Sequence, residues 1–125
     1  CSDGGLLVAV AEMALAGGAH GGSREATGIG VELFPYEGKL PAHAVWFGED
    51  QGRYVVEVAP NKAEEVLERA RLLELPARII GRTVPGDGSA APAIAMKGEK
   101  ALPLPDLRAA HEGFMRDLMK GEVGV

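Results

Sequence analysis

The stretch from Leu6 to Ala16 limits the possible folds of this chain more than any other segment. Its body, Leu6-Leu7-Val8-Ala9-Val10-Ala11, is apolar all round, so a helix formed here has to be covered on most sides by other elements. Ser2 or Asp3 can cap the free N–H groups of its first turn, and Gly17-Gly18 ends it, which predicts a helix over residues 2–16. Glu12 interrupts the apolar run, which falls short of the roughly 18 residues of a membrane span. No basic residue precedes it, so a signal peptide is also a poor reading. A buried helix remains, and it requires a real core around it. A chain of 125 residues with 46% hydrophobic and 25% charged residues can build one as a single domain. Aromatic residues make up only 5%, which leaves that core to aliphatic and alanine side chains.

Downstream the periodicity changes. Ile29, Val31 and Leu33 alternate with Gly30 and Glu32 as in a strand. A Pro/Gly loop over 35–41 leads to a short helix over Ala42–Phe47, with Pro41 in its first turn. Arg53 to Ala59 alternates as a second strand. Asn61-Lys62-Ala63-Glu64 reads as a capping sequence. Ala63, Val66, Leu67, Ala70 and Leu73 then keep helical spacing until Pro76. Ala77 to Thr83 reads as a third strand, making strand, helix and strand one βαβ unit. Val84–Pro92 is a turn, short strands follow near Ala93–Met96 and Ala101–Leu104, and Pro105-Asp106 opens a last helix. Leu107, Ala110, His111, Phe114 and Leu118 share one of its faces. This order of elements suggests an α+β domain, a mixed sheet with helices packed on it.

Charge and composition exclude several functions. The 13 Lys+Arg against 18 Asp+Glu give a net charge of -5, without the basic footprint of a nucleic-acid binder or of a protein drawn to anionic membranes. The single cysteine, Cys1, cannot form an intramolecular disulfide, which fits a cytoplasmic protein. His20, His43 and His111 have no metal-ligand spacing with one another or with Cys1, and no metal site or Cys–His nucleophile is expected. His111 reads as a core residue, and Trp46 and Phe47 as core or interface anchors. Gly17-Gly18 with Gly21-Gly22 is a loop and not a dinucleotide fingerprint, since no strand precedes it.

Two polar segments stand out as candidate sites. Ser2-Asp3-Gly4-Gly5 can present the N–H groups of a helix N-terminus to an anion. Glu49, Asp50, Gln51 and Arg53 cluster before a strand, between Gly48 and Gly52, where they can meet a ligand or a neighbouring domain.

These segments resemble the last domain of the phosphoribosylformylglycinamidine synthase family. Ser2-Asp3-Gly4-Gly5-Leu6-Leu7 is similar to that family's S-D-G-G-L helix start, and Phe47-Gly48-Glu49-Asp50-Gln51-Gly52-Arg53 to its F-G-E-[SD]-Q-x-R segment. Gly81-Arg82-Thr83 and Leu107-Arg108-Ala109-Ala110-His111-Glu112 agree with its C-terminal pattern. The family shares a superfamily with aminoimidazole ribonucleotide synthetase, selenophosphate synthetase and thiamine-monophosphate kinase. The resemblance implies a three-layer α/β/α mixed sheet, partly ferredoxin-like, as in the C-terminal domain of AIR synthetase, paired with ATP-binding N-terminal domains. It implies that residues 1–125 are one C-terminal domain of a longer chain, a reading that the lack of an initiator Met before the helix-start signal supports.

The implied chemistry is an ATP-dependent C–N ligation. ATP phosphorylates the amide oxygen of formylglycinamide ribonucleotide, and glutamine-derived ammonia displaces phosphate to give the amidine. The family's catalytic His, magnesium carboxylates and nucleotide contacts lie in segments absent here. ATP and Mg2+ therefore belong to the parent enzyme, a glutaminase subunit or domain is an implied partner, and the domain alone is expected to be inactive. Glu49-Asp50-Gln51 is the counterpart of an E-S-Q segment that contacts substrate in the other half of the family's duplicated architecture, with Asp50 in place of Ser. The exposed partner surface predicts self-association of the isolated domain. Two other readings share the same elements: another ATP-using member of the superfamily, and a free-standing ferredoxin-like module that binds a metabolite or dimerises.

Overall fold

The computed structural model describes residues 1, 3–17, 29–86 and 90–121. Ser2 and the loop holding His20, Gly21 and Gly22 lie outside these residues. Four helices and four strands follow in the order α1 (Gly5–Gly17), β1 (Gly30–Leu33), α2 (Ala42–Phe47), α3 (Ala63–Leu72), β2 (Gly81–Val84), β3 (Ala93–Met96), β4 (Leu102–Pro103) and α4 (Leu104–Lys120). The strands form one mixed sheet in the order β2-β1-β3-β4. β1 pairs antiparallel with β2 and parallel with β3, while β3 and β4 are antiparallel. The α+β class is as the sequence suggests.

The core is small and sits where α1, α2 and α4 meet the two central strands. Leu6, Val10 and Ala14, one helical stripe of α1, are buried with Val45 and Trp46 of α2, Leu33 of β1, Ile94 of β3 and Leu104 of α4. Leu33 is the most buried of them, at 2% exposure. Leu7, Ala11 and Leu15 are half-buried, and Met13 is exposed. With Val8 and Ala9 also half-buried, α1 buries one stripe fully and is partly covered on most of its other sides, as its composition called for. Arg108 of α4 reaches back to α1 and donates from Nη2 to the Leu15 carbonyl at 2.9 Å. That carbonyl belongs to the last turn of α1, which has no partner within the helix.

The strand–helix–strand unit is where sequence and structure part. Residues 53–59 form no strand and pair with none among the described residues, and only Arg53 and Val55 of them are half-buried. The second strand begins at Gly81, although Phe34 donates to the Ile80 carbonyl at 2.9 Å and carries the β1–β2 pairing one step further. Alternating side chains require only an extended backbone with two unlike faces; a ladder needs an edge to pair with.

α3 buries no residue and is held by local terms instead. Glu64 and Glu65 lie in its first turn and Arg69 and Arg71 in its last, complementing the helix dipole. Arg71 donates to both carboxylate oxygens of Glu68, at 2.9 and 2.6 Å, and this bond holds the Glu68 carboxyl below the usual carboxylate range. No side-chain cap opens the helix. A 3-10 turn over Pro60–Lys62 leads in, with Lys62 N–H donating to the Ala59 carbonyl at 2.8 Å. At the other end, Leu75 N–H donates to the Ala70 carbonyl and Glu74 N–H to the Arg71 carbonyl. These are the two bonds of a Schellman ending, and they place Glu74 at φ 56°.

The last helix starts at Leu104, whose N–H donates to the Pro92 carbonyl at 2.8 Å. Its expected apolar face meets the core only at its N-terminal end, where Leu107 is half-buried beside the buried Leu104; Ala110, His111, Phe114 and Leu118, farther along that face, are exposed.

Two stability changes follow. Leu33→Ala should cost about 3 kcal/mol, the usual loss for a buried leucine, read from urea unfolding with the single tryptophan, Trp46, as the fluorescent probe. Glu74→Gly should raise stability by about 0.5–1 kcal/mol, because the left-handed conformation penalises a residue with a Cβ and the gain is reduced by glycine's freer unfolded chain.

Candidate functional site

The two polar segments lie 45 positions apart and meet at one place. Gly4 N–H, at the start of α1, donates to Glu49 Oε1 at 2.8 Å. The contact is built on glycine. Gly4 and Gly5 have φ of 82° and 80°, values at which a side chain is strained. A Cβ on Gly5 would stand 2.6 Å from the Phe47 carbonyl carbon and 2.9 Å from the Gly48 oxygen, so the backbone of α1 rests on the end of α2. The sequence offers these glycines as a route to close ligand approach; here the backbone that approaches is the chain's own.

Phe47 and Gly48 turn the chain into Glu49-Asp50-Gln51-Gly52, and Arg53 closes the turn from inside. Its Nη1 donates to the Val45 carbonyl at 3.2 Å and its Nη2 to the Gly48 carbonyl. Nη2 also stands 3.7 Å from Asp50 Oδ2. The Arg53 carbonyl accepts from the backbone nitrogen of Cys1 at 2.7 Å, a second tie between the start of the chain and the turn.

An open depression of about 290 Å³ lies between these pieces, lined by Cys1, Asp3, Glu49, Gln51 and Gly52. Of the residues singled out in the sequence, the structure brings Asp3, Glu49 and Gln51 to this surface. Gly4 is tied to Glu49 at its edge, and Gly5 supports it from behind. Asp50 and Arg53 do not line it: the guanidinium is turned toward the carbonyls of α2. Cys1 and Gly52 line it without having been singled out as candidates; their adjacency to the two motifs was the only available signal.

Chemically the depression offers two carboxylates, an amide and a half-buried thiol. The Gly4 N–H that an anion would seek is already bonded to Glu49. Among the described residues, no three His, Cys, Asp or Glu side chains are grouped so that they could hold a metal ion. Phe47 is exposed beside the site, while its neighbour Trp46 is in the core at 6% exposure.

Gly5→Ala should destabilise the chain by about 3 kcal/mol through strain at positive φ and overlap with the α2 backbone. Gly52→Ala, also at positive φ but with open space around its Cβ position, should cost about 1 kcal/mol. Equal losses in thermal unfolding would count against the close approach of α1 to α2.

Comparison with known proteins places this geometry. The profile of the family described as AIR synthase related protein, C-terminal domain, matches residues 1–93. The phosphoribosylformylglycinamidine synthase subunit PurL of Methylocella silvestris is 46% identical over 118 residues, which cover 94% of this chain and 14% of that protein. The subunit of the same name from Rhodopseudomonas palustris strain BisB5 is 46% identical over 121 residues, covering 97% and 14%. That of Beijerinckia indica is 39% identical over 122 residues, covering 98% and 14%. The chain thus spans about 14% of the length of these relatives. No solved structure matches it.

Proposed function

The chain belongs to the family of AIR synthase related C-terminal domains, and on that footing we propose that it is the C-terminal domain of a phosphoribosylformylglycinamidine synthase. In this reading residues 1–125 are one domain of a longer cytoplasmic chain, which makes formylglycinamidine ribonucleotide from formylglycinamide ribonucleotide, ATP and glutamine-derived ammonia. The observation that carries it is 46% identity along 94% of the chain to a protein of that name. The convergence of Asp3, Gly4, Glu49 and Gln51 at one surface supports it.

The domain does not perform the ligation alone. ATP and Mg2+ are used in other parts of the parent enzyme, and ammonia comes from a glutaminase subunit or domain. The role of this chain is to supply one wall of an interdomain cleft, with the depression facing either a ligand or the neighbouring ATP-binding domain. Its exposed apolar surface supports such a neighbour. Tyr54 is 88% exposed and Met119 84%, and Val56, Leu72 and Leu73 are also open to solvent. Apolar groups this exposed commonly mark an interface.

A hybrid tests the assignment. The matching C-terminal region of the Methylocella silvestris subunit is replaced by residues 1–125, and ATP-dependent formation of the amidine is measured with the glutaminase present. Activity within about tenfold of the parent is expected, a loss below 1.4 kcal/mol of transition-state stabilisation. A folded, assembled hybrid with no activity would overturn the assignment. The isolated chain should also associate as its concentration rises in sedimentation velocity runs; one monodisperse monomer throughout would remove the support drawn from its exposed surface.

A further inference from the structure

We infer that Arg53 is a positioning residue: from behind the depression it sets the reach of Glu49 to the N-terminus of α1, and it does not itself meet a ligand. Its place in the turn carries the inference. α2 is six residues long, so its final carbonyls have no partners within the helix. Val45 offers one of those carbonyls and Gly48, the residue that caps the helix, offers its own; the planar guanidinium fork donates to both. Gly48 directly precedes Glu49, while Arg53 is itself the last residue of the turn. The side chain therefore closes residues 48–53 into a ring, and Asp50 joins it at 3.7 Å. With the ring closed, the Glu49 carboxylate is presented to Gly4 N–H at 2.8 Å. The carbonyl of Arg53 anchors the other side of the depression by accepting from Cys1 at 2.7 Å. One residue thus fixes the turn by its side chain and the start of the chain by its backbone.

Lysine cannot replace this arrangement in full. Its ammonium carries the same charge and three donors, but all on one nitrogen and without the planar fork by which two separate nitrogens of the guanidinium reach the two carbonyls. The inference rests on the proposed role of the depression only for its biological consequence. Its test uses the geometry alone, so either can fail without the other.

The experiment is a pH titration of the 125-residue chain followed by the backbone amide signal of Gly4, which reports the charge on the carboxylate it is bonded to. Asp3 and Asp50 are neighbouring carboxylates, so Glu49→Gln provides the reference curve without the Glu49 contribution. Hydrogen exchange at Val10 and Ala14, in the buried stripe of α1, reports on the fold. In Arg53→Gln the Glu49-dependent part of the titration should shrink by roughly threefold or more, as the charge-assisted bond is lost from most of the population. Val10 and Ala14 should keep their protection. Arg53→Lys should fall between the two and serves in place of Arg53→Gln if that variant does not fold. A wild-type titration in Arg53→Lys or Arg53→Gln would overturn the inference. So would loss of protection at Val10 and Ala14 in step with Gly4, since Arg53 would then be supporting the fold as a whole.

Discussion

At Gly5 the backbone of α1 lies on the backbone of Phe47 and Gly48, closer than any residue with a Cβ permits. The remaining arrangement follows from that contact. It brings the N-terminal end of one helix to the C-terminal end of another, so that free N–H groups stand near free carbonyls. It seats Val45 and Trp46 against Leu6 and Val10, where the core is built. It also brings Glu49 within hydrogen-bonding distance of Gly4, making a single surface from residues far apart in the chain. With a side chain at Gly5, α2 would have to move away and both the core and the surface would open.

At α1 and α2 the domain satisfies helix ends with long side chains from outside the helix. Arg53 serves the carbonyl end of α2 and Arg108 that of α1, while Glu49 serves the N–H end of α1. The bonds of Glu49 and Arg108 join separate parts of the chain and so orient one element against another, while those of Arg53 close a local turn. Among the described residues eight hydrophobic side chains are buried and no polar or charged one is, so such ties contribute much of the directional information that apolar packing lacks.

The class of the domain, the position of α2 and the strands at Gly30–Leu33 and Ala93–Met96 were legible in the sequence. There the period of the side chains and the actual burial coincide. Legibility failed where burial is decided by a distant partner. Tyr54-Val55-Val56-Glu57-Val58 has the composition and alternation of a strand, yet period records only that two faces differ. In α4 the period marked the right face, but it could not say how far the core extends along it: Leu104 and Leu107 meet the core, and Phe114 and Leu118, farther along the same face, do not. At the site, the motifs could be read, but their meeting could not. No local rule connects Gly4 to Glu49, or shows that Arg53 turns its guanidinium inward. Arginine in a polar cluster has the same local signature whether it meets a ligand or two carbonyls of its own chain.

The central strand β1 has a consequence for the order in which the protein can be made. Both of its neighbours, β2 and β3, come from roughly fifty residues or more downstream, and closing loops of that length is an entropic cost met before any pairing is gained. On a ribosome the sheet cannot assemble until the segment through Met96 has emerged. For that interval α1 has α2 to pack on, but Leu33 and Ile94 have not yet come together to complete the core. The sheet is therefore the last part of the domain to gain its stabilisation, although its central strand is among the first elements made.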